Sequence, residues 1–528
     1  MALSAGLLAL EAAIISAHNT ADDFNGGFTG WDVSQVFDTT VTVTTPDALR
    51  TEVESWKNGA ITVKKEILCD WDGPLDITSN TIRGFASSKL TPNAGVFGGY
   101  DRPTGGLLIR PATGRSPAFG NTLLVYGMPR IEFRDIGFAT QANGGNGDNI
   151  RCMQWLITGT FPLPNAIAFN DCKVGLTRWR PAEPFSEYVK GLAGNGSLTL
   201  SVHVESCEFD GVRDQLSVPA LFSRVKRNIA KNAISDFTTA FPHTGYAGTE
   251  INSIWCESNL TYKMIDDASL SSLHQDFLQT GTAADSHKGY SILGRYNVTH
   301  MSAEFSGGSQ GFYNDDFLTA SNEFAIHDNI VLTTAPQSMV AWNTDVTKDG
   351  YFEQNTIMSA ARRPVANDFV SGASVFDLVG AGAWNVLSFS DNIFGDLNDT
   401  GALITNASGN QYVNPKKNVV SGDGTTFAQG KRPEDAFVGT FDRDVNDFLT
   451  YTVDETGTTA QSYYNIVDRF EPAGGWGVFG ASDPEAWPDA PVRPVPPPSG
   501  GDSNRKKRKD QLKITRNYYY YLNRFKRS

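Results

Sequence analysis

The stretch EFAIHDNIVL, residues 323–332, alternates apolar and polar side chains as a half-buried strand does, around the unit Asp328-Asn329-Ile330-Val331. That unit, a polar residue, then Asn or Cys, then any residue, then an apolar one, recurs along the chain. It is spelled DCKV at 171–174, SCEF at 206–209, KNAI at 231–234, DNIV at 328–331, QNTI at 354–357, DNIF at 391–394 and KNVV at 417–420. The second residues are Cys172, Cys207, Asn232, Asn329, Asn355, Asn392 and Asn418, with looser copies at Asn259 and Asn297. Successive copies lie 25 to 38 residues apart, too irregular for helical-pair repeats and too long for leucine-rich ones. Strand-like alternation surrounds them in IEFRDIGF (131–138), NAIAFNDCKV (165–174), SVHVESCEF (201–209) and NVLSFSDNIF (385–394), and helical periodicity nearly vanishes after residue 60.

Short strands wound into a coil and stacked on copies of themselves put equivalent residues about 4.8 Å apart. An inward Asn can then bond the Asn above and below it, which makes a buried amide tolerable among apolar neighbours. The expected fold is all-β, a right-handed single-stranded parallel β-helix with an asparagine ladder. A sandwich or propeller with Asn in its turns is the competing arrangement, and Cys at two of the positions argues against it.

The chain has 528 residues and a formal charge of −14, unevenly spread. Residues 505–528 carry ten Lys or Arg and one acid, so with that +9 removed the rest stands at −23, poorly suited to nucleic acid. Five cysteines lie far apart without Cys-x-x-Cys, and no histidines sit at metal-ligand spacing, which predicts buried free thiols, no metal site and no cofactor. The apolar stretch 2–17 has no preceding Lys or Arg and is interrupted by Glu11, so it reads as an amphipathic or assembly helix rather than a signal peptide. No apolar run approaches the length of a membrane span, and no membrane insertion is expected.

The ladder spelling, with TVTTPDALRTEVESWKNGAITVKKEI at 42–67 read as a strand, a capping helix from Pro46 to Lys57 and a first strand, resembles the pectate-lyase-like β-helix superfamily. Within it the chain is most similar to phage tailspikes and related tail receptor-binding proteins. The resemblance covers residues 40 to 430. It implies a homotrimer, a virion location and bacterial surface polysaccharide as partner.

Five segments are expected: 1–40, an N-terminal helix for assembly; 41–430, the β-helix; 431–487, an aromatic-rich end piece that caps it; 488–504, a Pro then Gly/Ser linker; and 505–528, a basic tail with four consecutive tyrosines. The first and last are candidate contacts with other virion proteins.

Chemistry is sought where polar residues are densest. In SLHQDFLQT, His274 and Asp276 are expected on one strand face, with Gln279 just past the strand and His287 and Lys288 following. Tyr313, Asp315 and Asp316 occupy the next coil and Trp342 the one after, so stacking would align three segments. Asp276 with Asp315 or Asp316 is the candidate pair for glycoside hydrolysis, and His274, Lys288 and Tyr313 are the groups a lyase would use. Gln279, Tyr313, Trp342 and Lys288 are the expected sugar-binding residues, through stacking and hydrogen bonds to hydroxyls. Three functions remain open: a tail protein that recognises surface glycan, with or without depolymerising it, a secreted lyase or hydrolase, and a structural or adhesive fibre.

Overall fold

The computed structural model describes residues 2–24, 36–56, 63–79, 81–83, 105–126, 130–139, 150–156, 165–175, 189–195, 199–218, 220–232, 235–240, 252–262, 275–281, 289–300, 309–314, 321–333, 339–342, 347–359, 376–379, 384–394, 397–398, 404–413, 436–438 and 458–494. These form three long parallel sheets of twelve, twelve and eleven strands. Each coil gives one strand to the first sheet, one to the second and one to the third before the chain climbs a level. The coil Asn252–Glu257, Leu260–Tyr262, Gln275–Thr280 is one example. The fold is thus the right-handed parallel β-helix read from the sequence, the hand that parallel crossovers adopt.

Helix α1 spans Ala5–Phe24 and helix α2 Pro46–Trp56. In α2, Thr45 Oγ1 accepts the Ala48 amide as an N-cap, and Leu49, Val53 and Trp56 bury one face over the first coil. That is the expected cap, and it covers strand edges that would otherwise be open.

The asparagine ladder is present, with two corrections. Side-chain amides bond in a continuous series, Asn228 to Asn259 (3.0 Å), Asn259 to Asn297 (3.0 Å), Asn297 to Asn329 (2.9 Å), Asn329 to Asn355 (2.9 Å), Asn355 to Asn392 (3.1 Å) and Asn392 to Asn410 (3.1 Å). Below them, the Cys207 and Cys172 thiols donate to Phe169 O and Phe133 O of the preceding coil. Asn232 is not a rung. It follows the strand Ile229–Lys231 and itself takes a left-handed conformation, whereas Arg227-Asn228, four residues upstream, carries the same spelling and fills the position. Asn418 lies outside the described residues, and Asn410 is the last rung seen.

The spelling has a second physical cause. The residue before each ladder position from 136 to 392, namely Asp135, Asp171, Ser206, Arg227, Ser258, Tyr296, Asp328, Gln354 and Asp391, has φ between +51° and +59°. A single left-handed residue turns the chain from the first sheet to the second, and Asp tolerates that conformation better than most residues.

One apolar core fills the solenoid, with Phe133 stacked on Phe169 (5.6 Å) and Phe237, Phe277 and Phe312 in sequence. The outer face of the second sheet is also apolar: Leu260, Tyr262, Val298, Ile330, Leu332, Met358 and Ile393 point away from the core. Helix α3, Thr459–Val467, opened by a Thr458/Gln461 capping box, covers it with Tyr463, Tyr464, Ile466 and Val467, and Phe470 in the turn that follows adds to the cover. The aromatic-rich piece therefore lies along a flank, where the sequence reading expected an end cap. The residues 488–494 continue along that flank, with Asp489 near Arg227 and Arg493 over Tyr464. The basic tail and the rest of the linker lie outside the described residues.

Helix α1 lies on the outer face of the first sheet. It buries Leu7, Glu11, Ile14 and His18, the spacing of one helical face. Ser4 meets Glu353, Glu11 meets Arg295 and His327, and Asn19 meets Arg224. Those contacts run down the stack over four rung steps, about 19 Å at 4.8 Å each, comparable to the rise of about 22 Å along residues 4–19.

Candidate functional site

The link from first to second sheet barely varies. From Asn170/Lys173 through Ser390/Ile393 two residues separate the strands. Yet successive rungs of the Asn ladder lie 18 to 38 residues apart. The extra chain therefore sits in the other two links, both of which border the third sheet. Helix α1 occupies the first sheet and the C-terminal segment the second. Loops held by a rigid scaffold are where binding residues concentrate, which directs attention to the third sheet.

The three segments singled out from the sequence are adjacent strands there: Gln275–Thr280, Ser309–Asn314 and Met339–Trp342. Register stacks Gln279, Tyr313 and Val340 in one column, with Trp342 two residues further along its strand. Gln279 is half-buried and falls inside the strand rather than past it. His274, Lys288, Asp315 and Asp316 lie outside the described residues, and Tyr313 and Trp342 are described as strand positions only.

Asp276 departs from its expected role. It is fully buried, and so are Phe277 and Leu278 beside it, so simple alternation does not display it to solvent. Its partner on the next strand is Gln310, while Asn314 pairs with Thr280 at the strand's far end.

Asp276 instead belongs to a column the sequence reading missed. The pairing of Leu216 with Thr238 and of Thr238 with Leu278 sets Asp214, Asp236 and Asp276, each two residues earlier, on three consecutive coils. Asp236 Oδ1 accepts the Asp276 amide at 3.0 Å, and the Asp236 carbonyl accepts the Gln215 amide. Asp214 pairs with Lys190 at 2.5 Å and lies near Arg213 (3.7 Å). Burial, then the neighbouring charge of Asp214, pushes the Asp236 carboxyl up to about 8, against the smaller pull of the Asp276 amide, Lys190 and Arg213. A carboxyl pushed toward its protonated form thus stands on the coil next to an ion-paired carboxylate. Paired carboxyl groups held in different protonation states are the equipment of acid–base chemistry. A signal for the column existed in the sequence: RDQL, SDFT and QDFL each open a third-sheet strand.

Among the described residues no group of three or more His, Cys, Asp or Glu side chains could hold a metal ion, and no helix is long and apolar enough to cross a membrane. All five cysteines are buried and free. The chain matches no family model, and comparison with curated proteins and with solved structures likewise gives no match.

Proposed function

We propose that this chain is a virion protein of the tailspike type that recognises bacterial surface polysaccharide across its third sheet. The observation that carries the reading is the distribution of inserted chain, which from Asn170 onward borders the third sheet while helix α1 and the segment 458–494 cover the other two. A rigid flank with stacked Gln279 and Tyr313 positions, and Trp342 beside them, suits an extended chain of sugars. Helix α1 is engaged on its own first sheet, which leaves the basic stretch 505–528 as the proposed attachment to other virion proteins. Trimeric assembly belongs to the same proposal, and light scattering of the purified protein tests it.

Cleavage of the bound glycan is a second reading, favoured by the protonated Asp236 beside the ion-paired Asp214. Purified protein incubated with capsular polysaccharide or lipopolysaccharide tests both. New reducing ends indicate hydrolysis, reducing ends with absorbance from new double bonds indicate a lyase, and retention on the glycan with neither indicates recognition alone. Failure to bind any bacterial surface glycan would overturn the proposal in favour of a structural fibre.

A further inference from the structure

His327 sits, fully buried, where helix α1 and the segment around Ser482–Trp487 meet the solenoid. Its Nδ1 is 2.8 Å from Asp328 Oδ2, and its Nε2 is 3.2 Å from Glu11 Oε2 of helix α1. The second oxygen of Asp328 accepts the amide of Ser482 at 2.7 Å, from the C-terminal segment. Tyr296 packs edge-on to the His327 ring and also contacts Trp487 of that same segment. One imidazole therefore links helix α1, the first sheet and the C-terminal segment.

Both ring nitrogens face carboxylates. A neutral imidazole has one N–H and one lone pair, so it can donate to only one carboxylate and must turn its lone pair on the other. Only the imidazolium satisfies both. The surroundings agree with a charged ring: burial opposes the charge, but hydrogen bonds to Asp328 and Glu11, and their negative charge, outweigh it and raise the His327 pKa. Glu11 is held below its ordinary value, burial being outweighed by the His327 hydrogen bond and charge and by Arg295.

We propose that His327 is a proton-operated clasp: charged, it fastens helix α1 and the C-terminal segment to the solenoid, and on losing its proton it loosens its hold on helix α1. The groups facing it are Glu11 from α1, Asp328 and Tyr296 from the turns, and Arg295 and Glu353 from the flanking rungs. Arg295 pairs with Glu11 through one nitrogen and with Glu257 on the rung below, at 2.7 Å, through another, so it keeps its hold on Glu11 when the clasp opens. The pH window follows from the sign of the shift. Docking stabilisation is fully present below the ordinary histidine value near 6.5 and is lost as pH rises through the raised one. The acid side involves other groups: Glu11 would be protonated there, and His18 is kept neutral by burial, then by Arg224 and His203.

Hydrogen exchange of a peptide covering residues 4–24, corrected for intrinsic rates and followed from pH 6 to 9, tests the clasp. In the wild type, protection of α1 is expected to fall by up to about tenfold per pH unit above 6.5, the signature of one proton, and then to level off. In Glu11→Gln, neutral His327 can donate to Asp328 and accept from the new amide, so α1 should stay protected with the pH dependence gone. In His327→Gln, protection should be lower than wild type at pH 6 and flat. Flat protection in the wild type, or an unchanged pH dependence in Glu11→Gln, would overturn the proposal, and Glu11→Gln decides the matter even if His327→Gln folds poorly.

Discussion

Replacing a mid-ladder rung, Asn297→Leu, swaps the amide for a bulkier side chain of the same branching and heavy-atom count and exposes what the ladder contributes. Asn297 Oδ1 accepts both the main-chain and side-chain N–H groups of Asn259, each at 3.0 Å, and its Nδ2 donates to Cys256 O and Asn329 Oδ1. After substitution Asn259 Nδ2 keeps Val225 O, and Asn329 Oδ1 keeps the residue 297 amide. The fully buried main-chain N–H of Asn259 is left without its acceptor. One orphaned buried donor costs about 1–3 kcal/mol, and the lost side-chain bonds add about 1 kcal/mol, for roughly 2–4 kcal/mol. The matching change at the last rung, Asn410→Leu, removes a half-buried side chain but orphans the Asn392 amide, which is as fully buried as that of Asn259, so it too should cost roughly 2–4 kcal/mol. Urea denaturation of the two variants measures both costs. Either variant lying within about 0.5 kcal/mol of wild type would refute the claim that a satisfied amide column holds the coils in register.

Asp236→Asn keeps the acceptor for the Asp276 amide. Because the folded pKa near 8 exceeds that of an unfolded carboxyl, the folded state holds the extra proton and wild-type stability falls as pH climbs from about 4 to about 8. The variant should lose that slope and be the more stable protein above pH 8 in pH-dependent urea titrations; an unchanged slope would assign the proton elsewhere. All five thiols should resist an aromatic disulfide reagent in the native protein and all react in denaturant, since burial pushes Cys256 up to about 12 and encloses the other four as well. Gly175 has φ +128° and a built Cβ would lie 1.8 Å from Asp210 O, so Gly175→Ala should destabilise by about 3 kcal/mol or more, read as a lowered melting temperature.

The β-helix was legible because a buried polar residue in an apolar strand pattern leaves a mark that survives irregular coil lengths. The ladder misreading at Asn232 is equally physical: Lys231-Asn232 and Arg227-Asn228 share one spelling, and only the start of the short strand at Ile229 tells them apart. Alignment of the Gln275, Ser309 and Met339 strands was also foreseen, since stacking follows from the repeat. The Asp214–Asp236–Asp276 column was not, because a single Asp before a strand is indistinguishable from a solvated one until burial is known. Helix α1 was hardest to read. Glu11 looks like an interruption of an apolar stretch, and its reason for being there, Arg295 and His327, lies 284 and 316 residues away.

The most direct test of glycan recognition is a hydrogen-exchange footprint of the protein with and without a bound fragment of the polysaccharide it retains. Protection is expected on the strands Gln275–Thr280, Ser309–Asn314 and Met339–Trp342, with the first-sheet strands under α1 unchanged. Protection confined to the first or second sheet at saturating glycan would contradict the assignment of the third sheet as the binding face.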